Sequence, residues 1–77
     1  MKPRIYADFN NSTEDYKVRL NGVGSQADIN IASVPLIEGA KVILYDEELE
    51  VEGRLERADD RGNWVAVPDW STRREMK

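Results

Sequence analysis

The sequence lacks cysteine and histidine altogether, and it contains only three prolines and one phenylalanine among its 77 residues. Without cysteine the chain forms no disulfide and offers no thiolate as a nucleophile or a metal ligand. Without histidine it lacks the side chain that most often transfers protons in catalysis near neutral pH. These absences predict a protein that is not an enzyme and has no catalytic residues, no metal site and no cofactor.

Long apolar segments are absent as well. No apolar run approaches the roughly 20 residues that a membrane-spanning helix requires, and residues 1–4 are not followed by the apolar core of a signal peptide. We therefore expect a cytoplasmic protein with no membrane partner. The short chain predicts one small domain over residues 1–70, and the polar composition after it predicts a flexible tail over residues 71–77.

Acidic side chains are in excess, and the excess is uneven. The chain has 15 acidic and 11 basic side chains, and residues 25–62 hold ten of the acidic ones with only four basic ones. Sequence-independent affinity for nucleic acid comes mainly from cations, so this acidic centre argues against a nucleic-acid partner. The carboxylates at residues 46–48 and 59–60 are of the type that Ca²⁺ and Mg²⁺ prefer, but they lack the spacing of a dedicated binding loop. We interpret both segments as ordinary turns.

Apolar and charged residues alternate almost perfectly between residues 49 and 57. Leu49, Val51, Gly53 and Leu55 fall on one side of the alternation, and four charged residues fall on the other. A period of two is typical of a β-strand with one face on the core and the other in water. Gly53 lies in the middle of this strand, where a residue without a side chain favours a bend or a bulge.

The same period predicts two strands in the first part of the chain. Residues 5–9 and 16–20 alternate, and the Asn, Ser and Asp side chains between them are typical of a turn. We predict that these strands form a hairpin. The side chains that the alternation directs toward the core are Ile5, Ala7, Phe9, Tyr16, Val18 and Leu20.

Two further strands, over residues 40–45 and 64–67, complete the set and form a meander with residues 49–57. Pro68 cannot donate a hydrogen bond to a neighbouring strand, so we expect the last strand to end there or to lie at an edge. Both added strands are apolar on both faces, which predicts that something covers both faces. We expect a short helix and residues 34–37 to cover part of this surface, and any uncovered remainder to bind a partner.

Residues 25–32 are ambiguous. Ser25 is a suitable helix N-cap, whereas the alternation and the β-branched residues at positions 28–31 are typical of a strand. We predict a short helix over residues 25–32, ended by Pro35. With this helix between the second and third of five antiparallel strands, the predicted fold is mainly β: a small, strongly curved barrel of the Src-homology-3-like or Tudor-like type. A partly open arrangement of two sheets is the alternative.

Three segments of the sequence form distinctive motifs. They are residues 4–11, Arg-Ile-Tyr-Ala-Asp-Phe-Asn-Asn; residues 18–21, Val-Arg-Leu-Asn; and residues 64–70, Trp-Val-Ala-Val-Pro-Asp-Trp. Together they resemble a family of short bacterial proteins that has no established activity, with Pro68 where an aliphatic residue would be expected. The resemblance covers most of the chain. It implies a cytoplasmic bacterial protein, and it supplies no catalytic or binding residues.

The aromatic residues are the best candidates for binding a partner. Tyr and Trp dominate the energetics of many protein interfaces, so Tyr6, Tyr45 and Trp70, with Arg19, are the predicted partner-binding residues; if the three rings share a face, they form a groove. We predict a small non-enzymatic protein-interaction module, adaptor or regulatory, that binds a protein or peptide, and we expect weak self-association as a further property. The alternative is a barrel that binds single-stranded nucleic acid, in which bases stack on these rings beside basic side chains.

Overall fold

The protein folds as one five-stranded sheet and one helix in a computed structural model, which describes residues 2–31, 34, 36–58 and 63–75. The elements, in chain order, are β1 (Arg4–Tyr6), β2 (Val18–Arg19), α1 (Val23–Ile31), β3 (Lys41–Tyr45), β4 (Leu49–Arg57) and β5 (Trp64–Glu75). The strands form a curved sheet, a half-barrel, in the order β1-β3-β4-β5-β2. The prediction of a mainly β, barrel-like fold with one short helix between the second and third strands is confirmed.

The direction of the first strand differs from the prediction. The meander of β3, β4 and β5 is antiparallel, as expected, and β2 is antiparallel to β5. However, β1 is parallel to β3, so the described sheet is mixed and the prediction of five antiparallel strands is wrong for this pair. β1 and β2 lie at opposite edges of the sheet, and the chain between them crosses from one edge to the other.

The predicted hairpin of the first two strands does not form. The polar residues between them do make a turn, but a local one, in which Thr13 N donates to Lys17 O at 2.7 Å. Arg19 N likewise donates to Asn11 O at 2.9 Å. β2 therefore lies beside the segment just before the turn and not beside β1. Alternation identifies the buried face of a strand, but it does not identify the neighbouring strand.

The core lies on the inner face of the half-barrel, where Ile29 of α1 and Val34 cover it and Phe9 packs at its side. The other buried apolar side chains are Ile5, Ala7, Val18, Leu20, Val42, Leu44, Val51, Leu55, Val65 and Ala66. Tyr16, which was predicted to point toward the core, is 80% exposed. It lies in the turn before β2 with a φ of 63°, so the alternation of β2 does not extend back to this residue.

Helix α1 confirms the helical interpretation of the ambiguous segment, although it begins two residues earlier than predicted. Gly22 O accepts a hydrogen bond from the first turn of the helix, so the helix is capped at Gly22 and not at Ser25. In the segment that was expected to cover the sheet, Val34 is buried, whereas Leu36 and Ile37 are exposed. Only part of that segment therefore contributes to the core.

The first acidic segment closes the turn between β3 and β4. Asp46 Oδ1 accepts hydrogen bonds from Glu48 N at 2.7 Å and from Leu49 N at 3.0 Å. This is the turn-forming role expected of a short acidic side chain. The predicted features that lie outside the described residues are the acidic pair 59–60, the helix end at Ala32, the stop at Pro35 and the tail residues 76–77.

β5 is longer than predicted and continues to Glu75. β2 pairs only with the first part of β5, so from Val67 onward β5 borders β4 alone among the described residues. Pro68 thus lies at an edge, which is one of the two positions expected for it, and the strand continues beyond it. Residues 71–75, predicted as part of a tail, belong to the strand because an irregularity in β5 brings them back into register with the start of β4.

Replacing Gly53 by alanine should destabilise the fold, because the position is crowded. A Cβ atom at Gly53 would lie 2.8 Å from a methyl group of Leu44 and 3.2 Å from the backbone oxygen of Val67. Overpacking of this kind costs about 1–3 kcal/mol, and urea denaturation should show a loss of that size in the free energy of unfolding. Gly22→Ala is the control, since nothing lies within 4 Å of a Cβ atom there, and it should cost only the poorer capping of α1, at most about 1 kcal/mol. An equal loss in both variants would contradict the packing argument.

Candidate functional site

Helix α1 closes the free edge of β1 with two polar side chains. Ser25, which is 3% exposed, donates its hydroxyl proton to Tyr6 O, and Asp28 Oδ2 accepts a hydrogen bond from Tyr6 N at 2.8 Å. Gly24 allows the helix to approach, because a Cβ atom at this position would lie 2.8 Å from the Tyr6 ring. Unpaired backbone groups at a sheet edge invite other strands to pair, so these contacts both hold the helix and block the edge at Tyr6.

Two of the predicted binding residues, Tyr6 and Tyr45, lie side by side with ring centroids 5.8 Å apart and an edge-to-face geometry. Tyr45 donates its hydroxyl proton to Asp28 Oδ2 at 2.6 Å, and Tyr6 donates to Glu47 Oε1 at 3.3 Å. The hydrogen bond to Asp28 raises the pKa of Tyr45, and the Glu47 carboxylate raises the pKa of Tyr6. Arg4 lies over the Tyr45 ring, 4.5 Å from its centroid. Both half-buried tyrosines are thus engaged within the protein.

The register of the strands gathers basic side chains on the outer face of the sheet, opposite the core. Paired residues of neighbouring strands point to the same face, so Arg4, Ile43 and Glu52 form one row across β1, β3 and β4. Lys41 and Arg54 form the adjacent row across β3 and β4. The surface named here the cationic face has the basic residues Lys2, Arg4, Lys41, Arg54 and Arg74 and the acidic residues Glu50, Glu52 and Asp69.

Ion pairs neutralise part of the cationic face. The ammonium nitrogen of Lys2 lies 2.7 Å from a carboxylate oxygen of Glu52. Glu50 is shared between Arg4, at 3.5 Å, and Arg74, at 3.8 Å. All five side chains are at least partly exposed to water, where such pairs contribute between about 0 and 1 kcal/mol. A stronger anionic ligand can therefore displace these contacts at small cost.

Lys41 and Arg54 are the least compensated pair of the cationic face. They occupy directly opposite positions on β3 and β4, and both are exposed. Arg54 is 3.7 Å from Glu56, whose carboxylate also makes a shorter pair, at 2.7 Å, with Lys17. Lys41 makes no ion pair with another described residue. Glu52 and Asp69 line the same depression but make no ion pair with either cation. Like charges that face each other across two strands destabilise a sheet.

The cationic face has an apolar floor. A broad, shallow depression of about 800 Å³ is lined by Pro3 and Ile43 together with four of the cations. A smaller depression of about 160 Å³ adjoins it at Lys41 and extends over Gly53 and Val67, and the carboxylates of Glu52 and Asp69 also line it. An apolar centre with a charged and polar rim is the usual arrangement of a protein-binding surface.

The third predicted aromatic, Trp70, is placed by a bulge in β5. Between the regular pairs Glu50–Arg74 and Glu52–Asp69, β4 has one residue, Val51, whereas β5 has the four residues 70–73. Asp69 Oδ1 accepts hydrogen bonds from Ser71 Oγ at 2.6 Å and from Ser71 N at 3.1 Å, which lower the pKa of Asp69 and hold the bulge. Trp70 projects from it, 48% exposed, with its ring centroid 5.5 Å from that of Phe9.

Arg19, the fourth predicted residue, lies on β2 at the edge of the sheet opposite β1. Its guanidinium group donates to Ser12 O at 2.9 Å and to Asn11 Oδ1 at 3.4 Å. The predicted binding residues therefore fall in three places, which are the tyrosine pair, the bulge and the β2 edge. Among the described residues, no ring contact joins Trp70 to either tyrosine.

The cationic face was missed by the sequence analysis. Lys41, Arg54 and Arg74 all fall on the outward side of their strands, but only the pairing of distant segments makes them neighbours. The acidic average of residues 25–62 also concealed them, because it pools β3 and β4 with the acidic turn at residues 46–48 and with Asp28 of α1. The one available signal was the occurrence of Lys41 and Arg54 at outward positions of two strands predicted to be adjacent.

Comparisons of the chain with models of known protein families, with curated proteins and with solved structures find no match. Of the helical residues that are described, none belong to a segment with the length and apolar character needed to cross a membrane. Within the same described ranges, no three acidic side chains come together in a way that would hold a metal ion.

Replacing Tyr45 by phenylalanine should weaken the attachment of α1 and change the alkaline stability. Because the pKa of Tyr45 is raised from 10.0 in the folded state, its hydroxyl contributes stability below pH 10, and that contribution is lost as the pH rises through the raised pKa. Tyr45→Phe should lower the free energy of unfolding by about 1 kcal/mol at neutral pH. It should also reduce the decline in stability above pH 10. Urea denaturation at a series of pH values measures both effects.

Tyr16→Phe is the matched control, since it removes a hydroxyl from a largely exposed ring. Tyr6 keeps its own raised pKa in both variants, so part of the alkaline decline should remain. If Tyr45→Phe and Tyr16→Phe gave the same stability at every pH, the role assigned to the hydrogen bond with Asp28 would be wrong.

Proposed function

We propose that this protein is a small, non-enzymatic, cytoplasmic protein-interaction module, adaptor or regulatory, whose cationic face binds an acidic segment of a partner protein. The observation that supports this most directly is the opposition of Lys41 and Arg54 on neighbouring strands. A carboxylate placed between them would relieve their repulsion and form charge-assisted hydrogen bonds with both. Two like charges in this position destabilise the sheet, and an anionic ligand would offset that cost.

The surroundings of this pair favour a peptide over a simple ion. Ile43 and Pro3 supply apolar contact beside the charges, and apolar burial is the main favourable term in protein association. Glu50 and Glu52 are interleaved with the cations, so a ligand has to place its negative charges selectively. An acidic polypeptide can do so, because its side chains vary along the chain. Charge complementarity of this kind contributes specificity and rapid association.

The binding of single-stranded nucleic acid has less support. Such binding uses exposed aromatic rings on which successive bases stack. Here the ring of Tyr45 is occupied by Arg4 on its face and by Tyr6 at its side, and Trp70 packs on Phe9. A nucleic-acid backbone carries a negative charge at every nucleotide, so the carboxylates within the cationic face would repel it.

Charge reversal at Arg74 should abolish most of the binding of an acidic peptide. We would measure the fluorescence anisotropy of a labelled oligoglutamate peptide at low and at high salt, using the whole protein. Arg74→Glu should weaken binding about tenfold, equivalent to about 1.4 kcal/mol, because it replaces an attraction by a repulsion at the wall of the larger depression. Binding by the unmodified protein should weaken with increasing salt, since exposed charges are screened.

Arg73→Glu is the matched control, because it changes the net charge equally. Arg73 is the neighbour of Arg74 in β5 and lies on the other face, beside Leu49 and Glu75. Its reversal should leave the affinity for oligoglutamate within about twofold, the size of effect typical of a distant charge. Equal losses in the two variants, or no binding by the unmodified protein at low salt, would overturn the proposal. Tighter binding of a labelled oligothymidine than of oligoglutamate would favour the nucleic-acid alternative instead.

A further inference from the structure

We infer that the cationic face of one copy of this protein binds the Tyr16 turn, residues 13–17, of a second copy, so that the chain associates head to tail. This inference rests on the proposed function, since it uses the same face, and it names a partner for it. The supporting observations are the exposure and charge of the turn and the chemistry of the face.

The turn carries the chemistry that the cationic face lacks. Tyr16 is 80% exposed, so almost its whole ring is available for contact. Glu14 and Asp15 precede it directly, and both are exposed and make no ion pair with another described residue. Tyr16 N donates to Thr13 O at 3.0 Å, which holds the turn in shape. The result is a projecting aromatic ring beside two exposed carboxylates, one of which, Asp15, also attracts the Lys17 ammonium group.

The cationic face complements each part of this turn. Its floor at Pro3 and Ile43 offers an apolar surface on which the ring of a tyrosine can lie. The uncompensated Lys41 and the weakly paired Arg74 stand at the walls of the same depression. Carboxylates can pair with these cations, and a guanidinium group or an ammonium group can also pack against the aromatic ring. The ring of the turn therefore matches the apolar floor of the face, and the carboxylates of the turn match its cations.

Within one copy, the cationic face does not use the ring and the carboxylates of the turn, since Tyr16 is 80% exposed and neither Glu14 nor Asp15 makes an ion pair with another described residue. The turn precedes β2 at one edge of the sheet, whereas the larger depression extends from β1 at the other edge to Arg74 of β5. The turn comes nearest to the face through Lys17, whose partner Glu56 also pairs with Arg54. Contact between unlike surfaces of two copies leaves one free turn and one free face, so association continues with concentration instead of stopping at a symmetric dimer.

Sedimentation velocity of the whole protein over a concentration series tests this inference. At low salt the weight-average mass should rise with concentration beyond that of a dimer, and at high salt it should fall to that of the monomer, since the contact is largely electrostatic. Tyr16→Asn should raise the apparent dissociation constant at least about tenfold, as expected for loss of an aromatic anchor. Asparagine is chosen because it tolerates the positive φ of this position, so the turn keeps its shape.

Ile37→Asn is the matched control. Ile37 is also an exposed apolar residue, 63% accessible, but it lies in the segment between α1 and β3. Its replacement should leave the association unchanged. If Ile37→Asn dissociated the assembly and Tyr16→Asn did not, the contact would be made by the apolar residues after the helix, and the inference would be wrong.

A mixing experiment distinguishes head-to-tail contact from symmetric contact. Tyr16→Asn removes the turn and leaves the face, whereas Arg74→Glu impairs the face and leaves the turn. Each variant alone should be monomeric at a concentration where the unmodified protein associates. An equimolar mixture should form a complex of one copy of each variant and nothing larger. Failure of the mixture to associate would overturn the head-to-tail arrangement.

The self-association and the proposed binding of an acidic peptide can fail independently of each other. Tyr16→Asn should bind oligoglutamate at least as tightly as the unmodified protein, because its cationic face is intact and free. Binding of oligoglutamate by a protein that stays monomeric at low salt would leave the proposed function standing and would reject the second copy as partner. Loss of both activities in Arg74→Glu, with loss of association alone in Tyr16→Asn, supports both.

Discussion

The carboxylate of Asp28 is the contact on which the rest of the architecture depends. It accepts hydrogen bonds from the backbone of β1 at Tyr6 and from the hydroxyl of Tyr45 on β3, and Ser25 on the same helix bonds the carbonyl of Tyr6. β1 is only three residues long, so it has few bonds of its own with which to keep its place at the edge. The helix supplies the hydrogen bonds that a further strand would otherwise make.

This use of the helix determines which surface stays open. Since α1 packs against the edge at β1 and sends Ile29 to the inner side, the outer side of the sheet receives no covering element among the described residues. The chain between β1 and β2 crosses the half-barrel and places Ala7 in the core. The charged residues that alternate with the core residues of β4 therefore line an exposed, slightly hollow surface instead of an interface within the fold.

Much of the fold could be predicted from the sequence, but the candidate site could not. The alternation over residues 49–57 identified β4, and the polar residues before β2 identified a turn. Both are local patterns. That β1 is parallel to β3, and that Lys41 faces Arg54, depends on the pairing of segments far apart in the chain, which a period of two does not specify. Tyr16 was wrongly predicted to point toward the core for a related reason, which is that alternation does not specify the residue at which a strand begins.

The bulge that presents Trp70 also affects how the protein behaves in a crowded solution. From Val67 to Glu75, β5 has β4 on one side and no described backbone partner on the other, which leaves a template for cross-β stacking. The extra residues between Asp69 and Arg74 interrupt the regular spacing of backbone donors and acceptors, and Pro68 removes one donor. An extended chain that approaches this edge cannot form a continuous hydrogen-bonded ladder with it. The irregular backbone of β5 therefore protects the exposed strand against amyloid-like growth.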